Sequence, residues 1–414
     1  MTIFQPAEFL LPRDHFEQWA VIACDQFTSQ PEYWAKVREQ VGDRPSTLNM
    51  IFPEAELGSA DPAERIASIH QSMRETLDSE VLQRLPESWI YVERTLKSGA
   101  VRRGVVGVID LEAYDYHAEA LLPIRATEKT VLERIPPRVR IRQGAPLELS
   151  HVLMLLDDSA RNLIEPLAAR KDEMRRLYDF ELQSGGGPIA GYALTGELAR
   201  AFTQKVEAYE NDAAARYARQ GLPPLIYAVG DGNHSLAAAK RCWEDRKQEH
   251  PELAGTRDPA RFALVELGNI HDSSLQFEPI HRLLTGVDPA DVLAELRKLC
   301  TPNPEQGHAV RCVCRDFSCT VFLDRARGEL PIGILQAFLD DYLSKHAGNL
   351  DYIHEDAAAV SLAQQPGALS FLLPSIPKDD FFRGVAKDGV LPRKTFSMGL
   401  ASEKRYYLEC RKIL

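Results

Sequence analysis

The chain has 414 residues, of which 44% are hydrophobic and 26% charged, as in an ordinary globular protein large enough for more than one core. Its formal net charge of −11 argues against nucleic-acid binding over the whole surface and fits a small anionic ligand better than a polymer. No apolar stretch reaches the ~20 residues that cross a bilayer, and the N-terminal sequence lacks a secretory pattern, so we expect a cytoplasmic protein without membrane partners.

The first third of the chain predicts a helix followed by a sheet. Apolar residues recur at helical spacing over residues 62–85, and Pro86 is expected to stop this helix. Two apolar strands follow at residues 89–96 and 102–111, joined by a short turn that contains Gly99, which predicts a hairpin. The sheet is expected to continue over residues 114–124.

The next stretch is richer in turn and loop residues. Arginines and prolines over residues 130–148 predict an exposed connection that leads into a short buried strand at residues 151–156. Asp157 and Asp158 should end this strand, and Ser159 is expected to cap a following helix. Three glycines between Ser184 and Pro188 predict a flexible loop, which is either a lid or an inert connection.

From residue 195 onwards helices and strands alternate. A polar helix is predicted over residues 195–219, then an apolar strand at 225–229, a glycine turn, an alanine-rich helix and a strand at 261–270. The last hundred residues predict a helix (290–299), a hairpin (310–323), a helix (332–345) and a strand (405–410). The fold class is therefore mixed α/β (α+β), and we expect three regions: 1–118, 119–300 and 301–414.

The seven cysteines are scattered, and an odd count without framework spacing suits a reducing compartment. Cys312, Cys314 and Cys319 invite a metal-site interpretation. Structural zinc sites need four ligands, however, and the surrounding segment alternates like a β-hairpin. We therefore favour structural cysteines over a metal site here and name no metal-ligating residue.

The segment from Gly230 to Ser235 joins the apolar strand to the alanine-rich helix. The first turn of a helix has amide donors without intrahelical partners, and the helix dipole makes that end partly positive, so an anion can bind there. Gly230 and Gly232 permit a close approach of the backbone. Asn233 or Ser235 is expected to cap the helix, and His234 to donate to a phosphate oxygen. The alternative is a well-capped connection without a ligand, since neither a P-loop nor a dinucleotide fingerprint is present.

Four segments resemble, in order and spacing, a bacterial and archaeal family known as domain of unknown function ten-fifteen. They are LLPIRATEKT (121–130), YAVGDGNHSLAAA (227–239), EPIHRLL (278–284) and LPRKTFSMGL (391–400). The central motifs of that family are in turn similar to those of the ParB/sulfiredoxin fold, which includes nucleotidases and free-serine kinases. The resemblance implies a ParB/sulfiredoxin-like core with additional N- and C-terminal α/β elements.

The resemblance also implies roles for individual residues. Glu128 matches a glutamate that acts as base toward a substrate hydroxyl, and Asp231, Gly232 and His234 match the phosphate-binding turn. Two positions depart from the pattern: Thr127 stands where the family has a histidine, and Ser235 where it has an arginine. Either another basic residue compensates for this arginine, or this branch has changed or lost its chemistry. The candidates for compensation are Lys129, Arg138, Arg140 and Lys394.

Each candidate has a plainer interpretation beside the functional one. Glu128 is also explained as a surface glutamate, and Lys394 as a solvent-facing residue. Arg282 is expected either to contact a substrate carboxylate or to be buried between two layers. Asp25 and Gln26 in the N-terminal motif are weaker candidates. The candidate set is then catalytic Glu128, His234 and Asp231; phosphate-binding Gly230, Gly232, Asn233, Ser235 and Lys129; and substrate-binding Arg138, Arg282 and Lys394.

These residues predict a phosphotransferase or phosphate-ester enzyme that acts on a small hydroxylated metabolite, with free serine and a nucleotide as the preferred pair. Mg²⁺ and ADP or ATP are the expected cofactors, and no redox cofactor is expected. The alternative is a protein that binds a nucleotide or phosphorylated metabolite without turnover. A nuclease or DNA-binding protein is disfavoured by the acidic charge.

Overall fold

The computed structural model describes residues 2–56, 62–117, 119–392 and 394–414, which form two compact units. The first unit consists of Met1–Ala126, Thr130–Leu275 and Leu400–Leu414, and the second of Thr127–Lys129 and Gln276–Gly399. The expected division into regions 1–118, 119–300 and 301–414 stays a prediction. Residue 118, at the end of the first expected region, lies outside the described residues. Residue 393, in the fourth motif segment, also lies outside them.

The first unit contains both strands and helices. In chain order its elements up to residue 275 are β1 (Phe4–Gln5), β2 (Ala7–Pro12), α1 (Phe16–Trp19), β3 (Val21–Ile22), α2 (Pro31–Val41), α3 (Pro62–Asp78), β4 (Leu82–Thr95), β5 (Val101–Asp110), β6 (Tyr114–Asp115), β7 (Ile124–Ala126), α4 (Ile135–Arg142), β8 (Leu147–Leu149), β9 (Leu153–Leu156), β10 (Arg175–Leu182), β11 (Gly187–Leu194), α5 (Gly196–Arg219), β12 (Tyr227–Asp231), α6 (Asn233–Glu249) and β13 (Phe262–Asn269).

The second unit follows, and the chain then returns to the first. The elements of the second unit are β14 (Phe277–Pro279), β15 (His281–Thr285), α7 (Pro289–Arg297), β16 (Gly307–Val313), β17 (Ser318–Asp324), α8 (Pro331–Lys345), β18 (Asn349–Ile353), α9 (Asp356–Leu362), β19 (Ala368–Leu372), α10 (Lys378–Asp388) and β20 (Phe396–Met398). The returning segment adds β21 (Tyr406–Tyr407) and β22 (Cys410–Lys412). The mixed α/β class is confirmed.

The central sheet of the first unit is apolar on both faces. Its strands run in the order β6-β7-β12-β9-β13-β5-β4-β2-β22-β8, with β11 also pairing with β4. Along β4, Trp89 and Tyr91 belong to one apolar cluster, whereas Ile90 and Val92 belong to another. Since successive side chains of a strand point to opposite faces, the two clusters lie on opposite sides of the sheet. Helices and loops therefore cover both faces.

The glycine turn lies at the carboxyl end of β12, an interior strand of this sheet. This strand pairs in parallel with β7 and antiparallel with β9, with Asp231 opposite Leu153. Because neighbouring antiparallel strands run in opposite directions, the end of β12 lies beside the start of β9. The residues just before β9, His151 and Val152, are thus brought to the turn at Gly232.

The prediction that residues 62–85 form one helix is wrong at its C-terminal end. Helix α3 ends at Asp78, and β4 begins at Leu82 and continues through Pro86. The pairing of β4 with β2 shifts register between Leu85 and Ser88. A bulge leaves a residue outside the ladder, so the missing amide of Pro86 is tolerated there. Pairing with a strand that is distant in sequence overrides the helical pattern.

Two further local predictions are corrected, and for a third segment one of two open alternatives is decided. Residues 135–142, expected within an exposed connection, form α4, and the prolines occupy its first turn, where a missing amide costs nothing. Ser159 caps no helix; a 3₁₀ helix starts later, at Glu165, after Ile164. The glycine loop near Ser184 is a tight hairpin turn between β10 and β11, and a side chain at Gly187 would meet the Thr95 carbonyl oxygen at 2.2 Å. It is therefore a connection in the sheet.

The second unit has its own antiparallel sheet, in the order β17-β16-β19-β15-β18. The predicted hairpin near residue 310 is confirmed as β16 and β17, which place Cys312 opposite Cys319. All seven cysteines carry free thiols. Among the described residues, no helix combines the length and apolar character that a bilayer crossing requires.

Candidate functional site

The first turn of α6 presents amide donors at the end of β12. Gly232 adopts a left-handed conformation, with φ of 82°, and its carbonyl accepts from the amides of Ser235 and Leu236 at 3.0 Å each. The amides of Asn233 and His234 donate no hydrogen bond within the part of the chain that the structure describes. Two donors and the positive end of a 17-residue helix therefore converge at this point.

Asp231 completes the turn from the strand side. One carboxylate oxygen accepts from the Gly232 amide at 3.0 Å, and the other lies 3.3 Å from Nζ of Lys404. The first contact fixes the geometry of the turn. The second provides a positive charge that offsets Asp231, so the carboxylate repels an incoming anion less than it would alone.

His151 lies against the turn and was not among the residues singled out from the sequence. Its side chain is 4% exposed, and Nε2 is 3.5 Å from the Ser235 hydroxyl oxygen and 3.8 Å from a carboxylate oxygen of Asp25. Its other ring nitrogen, Nδ1, is 2.8 Å from the hydroxyl of Tyr407. This arrangement holds one ring nitrogen tightly and leaves the other at longer distances, facing Ser235 and Asp25.

Two neighbours set the charge around His151. Burial raises the pKa of the Cys24 thiol to about 11, so this thiol, 3.1 Å from the Tyr407 hydroxyl, keeps its proton. Burial would also raise the pKa of Asp25, but the charge of His151, the hydrogen bond from Gln26 and more distant cations lower it overall. Asp25 is therefore a carboxylate beside the imidazole.

A cavity of about 120 Å³ opens beside this cluster. His151, Ser235 and Tyr407 line it together with the paired Arg138 and Glu54. Most of the remaining wall is apolar and comes from several elements: Met50, Phe52, Met73, Ile141, Leu147 and Leu149. The predicted substrate residue Arg138 thus contributes to the wall of a cavity next to the turn.

His234, predicted to donate to a phosphate, is already engaged through one ring nitrogen. Its Nε2 accepts from the Val131 amide at 3.2 Å. Burial lowers the pKa of His234 to about 4, and the charges of Arg138 and Arg134 contribute in the same direction. The ring is therefore neutral at physiological pH, and Nδ1 carries its hydrogen. Any contact with an anion would come from that N–H group.

Four predicted residues belong to the second unit. Glu128 forms a bridge to Leu391, and its carboxylate accepts from the Thr395 amide at 3.0 Å. The amide of the exposed Lys129 donates to the Leu391 carbonyl. Lys394 has a positive φ of 54°, and its Nζ lies 5.0 Å from the centre of the Tyr352 ring. Glu128, Lys129 and Lys394 thus meet around one short stretch of chain.

Arg282 is fully buried in the same unit. It donates to the Gln336 side chain at 2.8 Å and to the carbonyls of Ile280 and Lys394 at 2.7 and 3.0 Å. Its guanidinium also lies 4.7 Å from the centre of the Tyr352 ring. This placement agrees with the interpretation of Arg282 as a residue buried between two layers.

The fit of the residues to a metal ion can be tested on the donor set. Within the described ranges, no group of three or more His, Cys, Asp or Glu side chains is placed to hold a metal ion. Mg²⁺ is usually held by one or two carboxylates together with waters and substrate phosphates. A magnesium ion bound by protein ligands alone therefore does not fit these residues.

Three solved structures illustrate what the chain is similar to. A conserved hypothetical protein from Pyrococcus furiosus has a TM-score of 0.35 and 10% identity, covering 74% of this chain and 94% of that one. A free serine kinase variant in complex with ADP has a TM-score of 0.38 and 11% identity, with 76% and 94% covered. SbnI with a C-terminal truncation, from Staphylococcus aureus, has a TM-score of 0.37 and 9% identity, with 71% and 82% covered.

No curated protein matches the chain. The sequence does match the family described as protein of unknown function (DUF1015), over residues 4–412. This match spans nearly all of the 414 residues and contains every motif segment identified above. The chain belongs to the DUF1015 family.

Proposed function

We propose that this protein is a phosphotransferase or phosphate-ester enzyme acting on a small hydroxylated metabolite, with free serine and a nucleotide as the preferred pair. The observation that carries the proposal is the turn at α6. The two open amides of Asn233 and His234 lie at a helix N-terminus, and the buried His151 lies beside them. Such a site binds a phosphate group without a cluster of cations.

The proposed roles follow from this arrangement and from the family motifs. The amides of Asn233 and His234 hold the phosphate, Gly232 allows its close approach, and Lys404 offsets Asp231. Glu128, by its motif, takes the proton of the acceptor hydroxyl. The acceptor oxygen then bonds to phosphorus as the bond to the leaving oxygen of the nucleotide breaks. Phosphoryl transfer depends mainly on positioning and charge, so few protein groups suffice.

The test is a direct assay of product formation. Purified protein is incubated with serine, MgCl₂ and either ADP or ATP, and phosphoserine is measured by mass spectrometry. Glu128→Gln should lower the rate by about 10²-fold or more, the usual effect of removing a general base. Glu133→Gln, which changes an exposed glutamate a few residues further along the sequence, is the matched control and should leave the rate unchanged. No product over a broad panel of hydroxyl compounds would refute catalysis.

A second candidate function is binding without turnover. It is favoured by Ser235, which stands at the motif position of a phosphate-binding arginine and offers a hydroxyl instead of a bidentate cation. Under this alternative, ADP or AMP raises the melting temperature, and no product appears with any acceptor. Product formation that is lost in Glu128→Gln would exclude it.

A further inference from the structure

The cavity beside α6 continues directly from the phosphate-binding turn. Ser235 and Ala238 both line it, and they are three residues apart, so they lie on one face of the helix. Ser235 is in the first turn, next to the open amides, and Ala238 lies one turn further along. A group attached to an anion at the turn therefore has this cavity as its neighbouring space.

The wall of this cavity is apolar but contains polar atoms without close partners. Nε2 of the buried His151 is 3.5 Å from the Ser235 hydroxyl oxygen and 3.8 Å from a carboxylate oxygen of Asp25, longer than most hydrogen bonds. Nη2 of Arg142 is buried and makes no hydrogen bond to any described residue, while Nη1 donates to Glu148 at 2.6 Å. Buried polar atoms of this kind normally have partners, so their state points to a ligand that supplies them.

The volume limits what that ligand can be. The cavity measures about 120 Å³. An engineered cavity of ~150 Å³ in another protein binds benzene, so one six-membered ring or a hydrocarbon of similar size fills this cavity, and a sugar attached to such a ring would lie outside it. Sugar hydroxyls placed against Met73, Ile141 and Leu147 would lose their hydrogen bonds to water without replacement.

We infer that this cavity seats an apolar or aromatic group that is covalently attached to the phosphate held at the turn. The inference rests on the proposed function and narrows its ligand to an organic phosphate that carries a ring or a short hydrocarbon. A nucleobase and a simple aryl or alkyl group share this chemistry. Nε2 of His151 and the unpaired Nη2 of Arg142 are the polar contacts available to its edge.

Binding of three probes separates the two parts of the site. Inorganic phosphate tests the turn alone, methyl phosphate adds an ester without a ring, and phenyl phosphate adds the ring. Calorimetry on the full chain should show phenyl phosphate binding about tenfold more tightly than methyl phosphate, because the ring leaves water for an apolar wall. AMP is a fourth probe. If AMP binds more tightly than phenyl phosphate, the cavity is assigned to a nucleobase; if it binds more weakly, the cavity is assigned to an aryl or alkyl group.

Filling the cavity should remove the preference for the ring. Ala238→Leu adds volume from α6, and Leu149→Phe does so from β8, so that a folding defect in one variant does not end the test. Both should bring phenyl phosphate to the affinity of methyl phosphate and leave inorganic phosphate binding unchanged. The matched control is Ala215→Leu, at an exposed position of α5 that does not line the cavity, and should behave as the parent protein.

The binding results separate a failure of the cavity proposal from a failure of the proposed function. If phenyl and methyl phosphate bind equally well while inorganic phosphate still binds, the cavity proposal is overturned and the turn remains. If none of the phosphates binds, both proposals fail. A ring preference that survives in Ala238→Leu and Leu149→Phe also overturns the cavity proposal, because the ring then binds elsewhere.

Discussion

His151 shows how a residue without a motif acquires a defined chemical state. Its Nδ1 is held 2.8 Å from the Tyr407 hydroxyl, and the carboxylate of Asp25 lies near its Nε2. Burial removes water that would otherwise hydrate the ring. A neutral hydroxyl on one side and a carboxylate on the other fix the orientation of the imidazole. These are the conditions under which a histidine can hold or deliver a proton at the turn.

His234 should make the stability of the first unit depend on pH. Burial lowers its pKa in the folded state to about 4, from about 6.5 in the unfolded chain. Between these values the unfolded state binds more protons, so the free energy of unfolding is highest above pH 6.5 and falls as the pH drops toward 4. Urea unfolding between pH 7 and 4 measures this slope, and His234→Gln should reduce it.

The glutamine at position 234 keeps an acceptor for the Val131 amide but does not titrate. His250→Gln, at an exposed histidine, is the matched control and should retain the slope of the parent protein. If stability depends equally on pH in the parent protein and in His234→Gln, the predicted lowering of the His234 pKa on folding is wrong.

At the scale of elements, the site depends on the junction between β12 and α6. The strand is buried and central, the helix begins with two open amides, and a single residue, Gly232, turns the chain between them. The run Ala237–Ala239 is buried, so the helix can lie close to its neighbours. The position of the amides is therefore set by packing along the whole helix as well as by the turn.

Gly232→Ala should destabilise the protein more than the same substitution does at a left-handed glycine with free space around it. A Cβ at this position would lie 3.0 Å from the backbone Cα of Val152, which cannot move aside as a flexible side chain can. Gly196 also has a positive φ, at the start of α5, but a Cβ there meets nothing within 4 Å. Gly196→Ala should cost only the left-handed strain of about 1–2 kcal/mol.

We expect Gly232→Ala to lose more stability than Gly196→Ala and to lose the rise in melting temperature that phosphate produces. Urea unfolding and thermal unfolding with and without phosphate measure both effects. Equal costs for the two variants, with phosphate stabilisation intact in both, would contradict the proposed close contact at Gly232.

At the scale of the whole molecule, the returning C-terminal segment completes the first unit. Arg405 donates to Glu266 at 2.9 Å and to Glu409 at 2.6 Å, and all three side chains are buried. Burial would raise the pKa of Glu266, but the charges of Arg102 and Arg405 lower it overall. This network fixes the segment that carries Lys404 and Tyr407, and it therefore positions part of the site from a distance.

Glu266→Gln should destabilise the first unit by about 3–5 kcal/mol, because buried arginines lose the charge that compensates them. All four tryptophans, Trp19, Trp34, Trp89 and Trp243, lie in that unit, so tryptophan fluorescence during urea unfolding reports on it alone. The exposed Glu252→Gln is the matched control and should change stability by less than about 0.5 kcal/mol. A similar small change in Glu266→Gln would show that the network contributes little.

Much of the local structure follows from sequence patterns. The helix at 196–219, the strand before the turn and the cysteine-containing hairpin all lie close to their predicted positions. Each is specified by periodicity and by neighbouring residues. The start of β4 was missed because its partner, β2, lies some seventy residues away in sequence. A helical pattern of apolar residues contains no information about that pairing.

The candidate site also combines features that are local in sequence with contacts between distant segments. The mixed α/β class, the family motifs and the turn from Gly230 to Ser235 follow from the sequence alone, because a strand, a glycine and a helix start are adjacent in the chain. The folded chain was needed to show that His151, Asp25 and Tyr407 surround that turn beside an apolar cavity. They come from three distant segments, and such contacts depend on burial and strand pairing across the whole unit, which local sequence patterns do not encode.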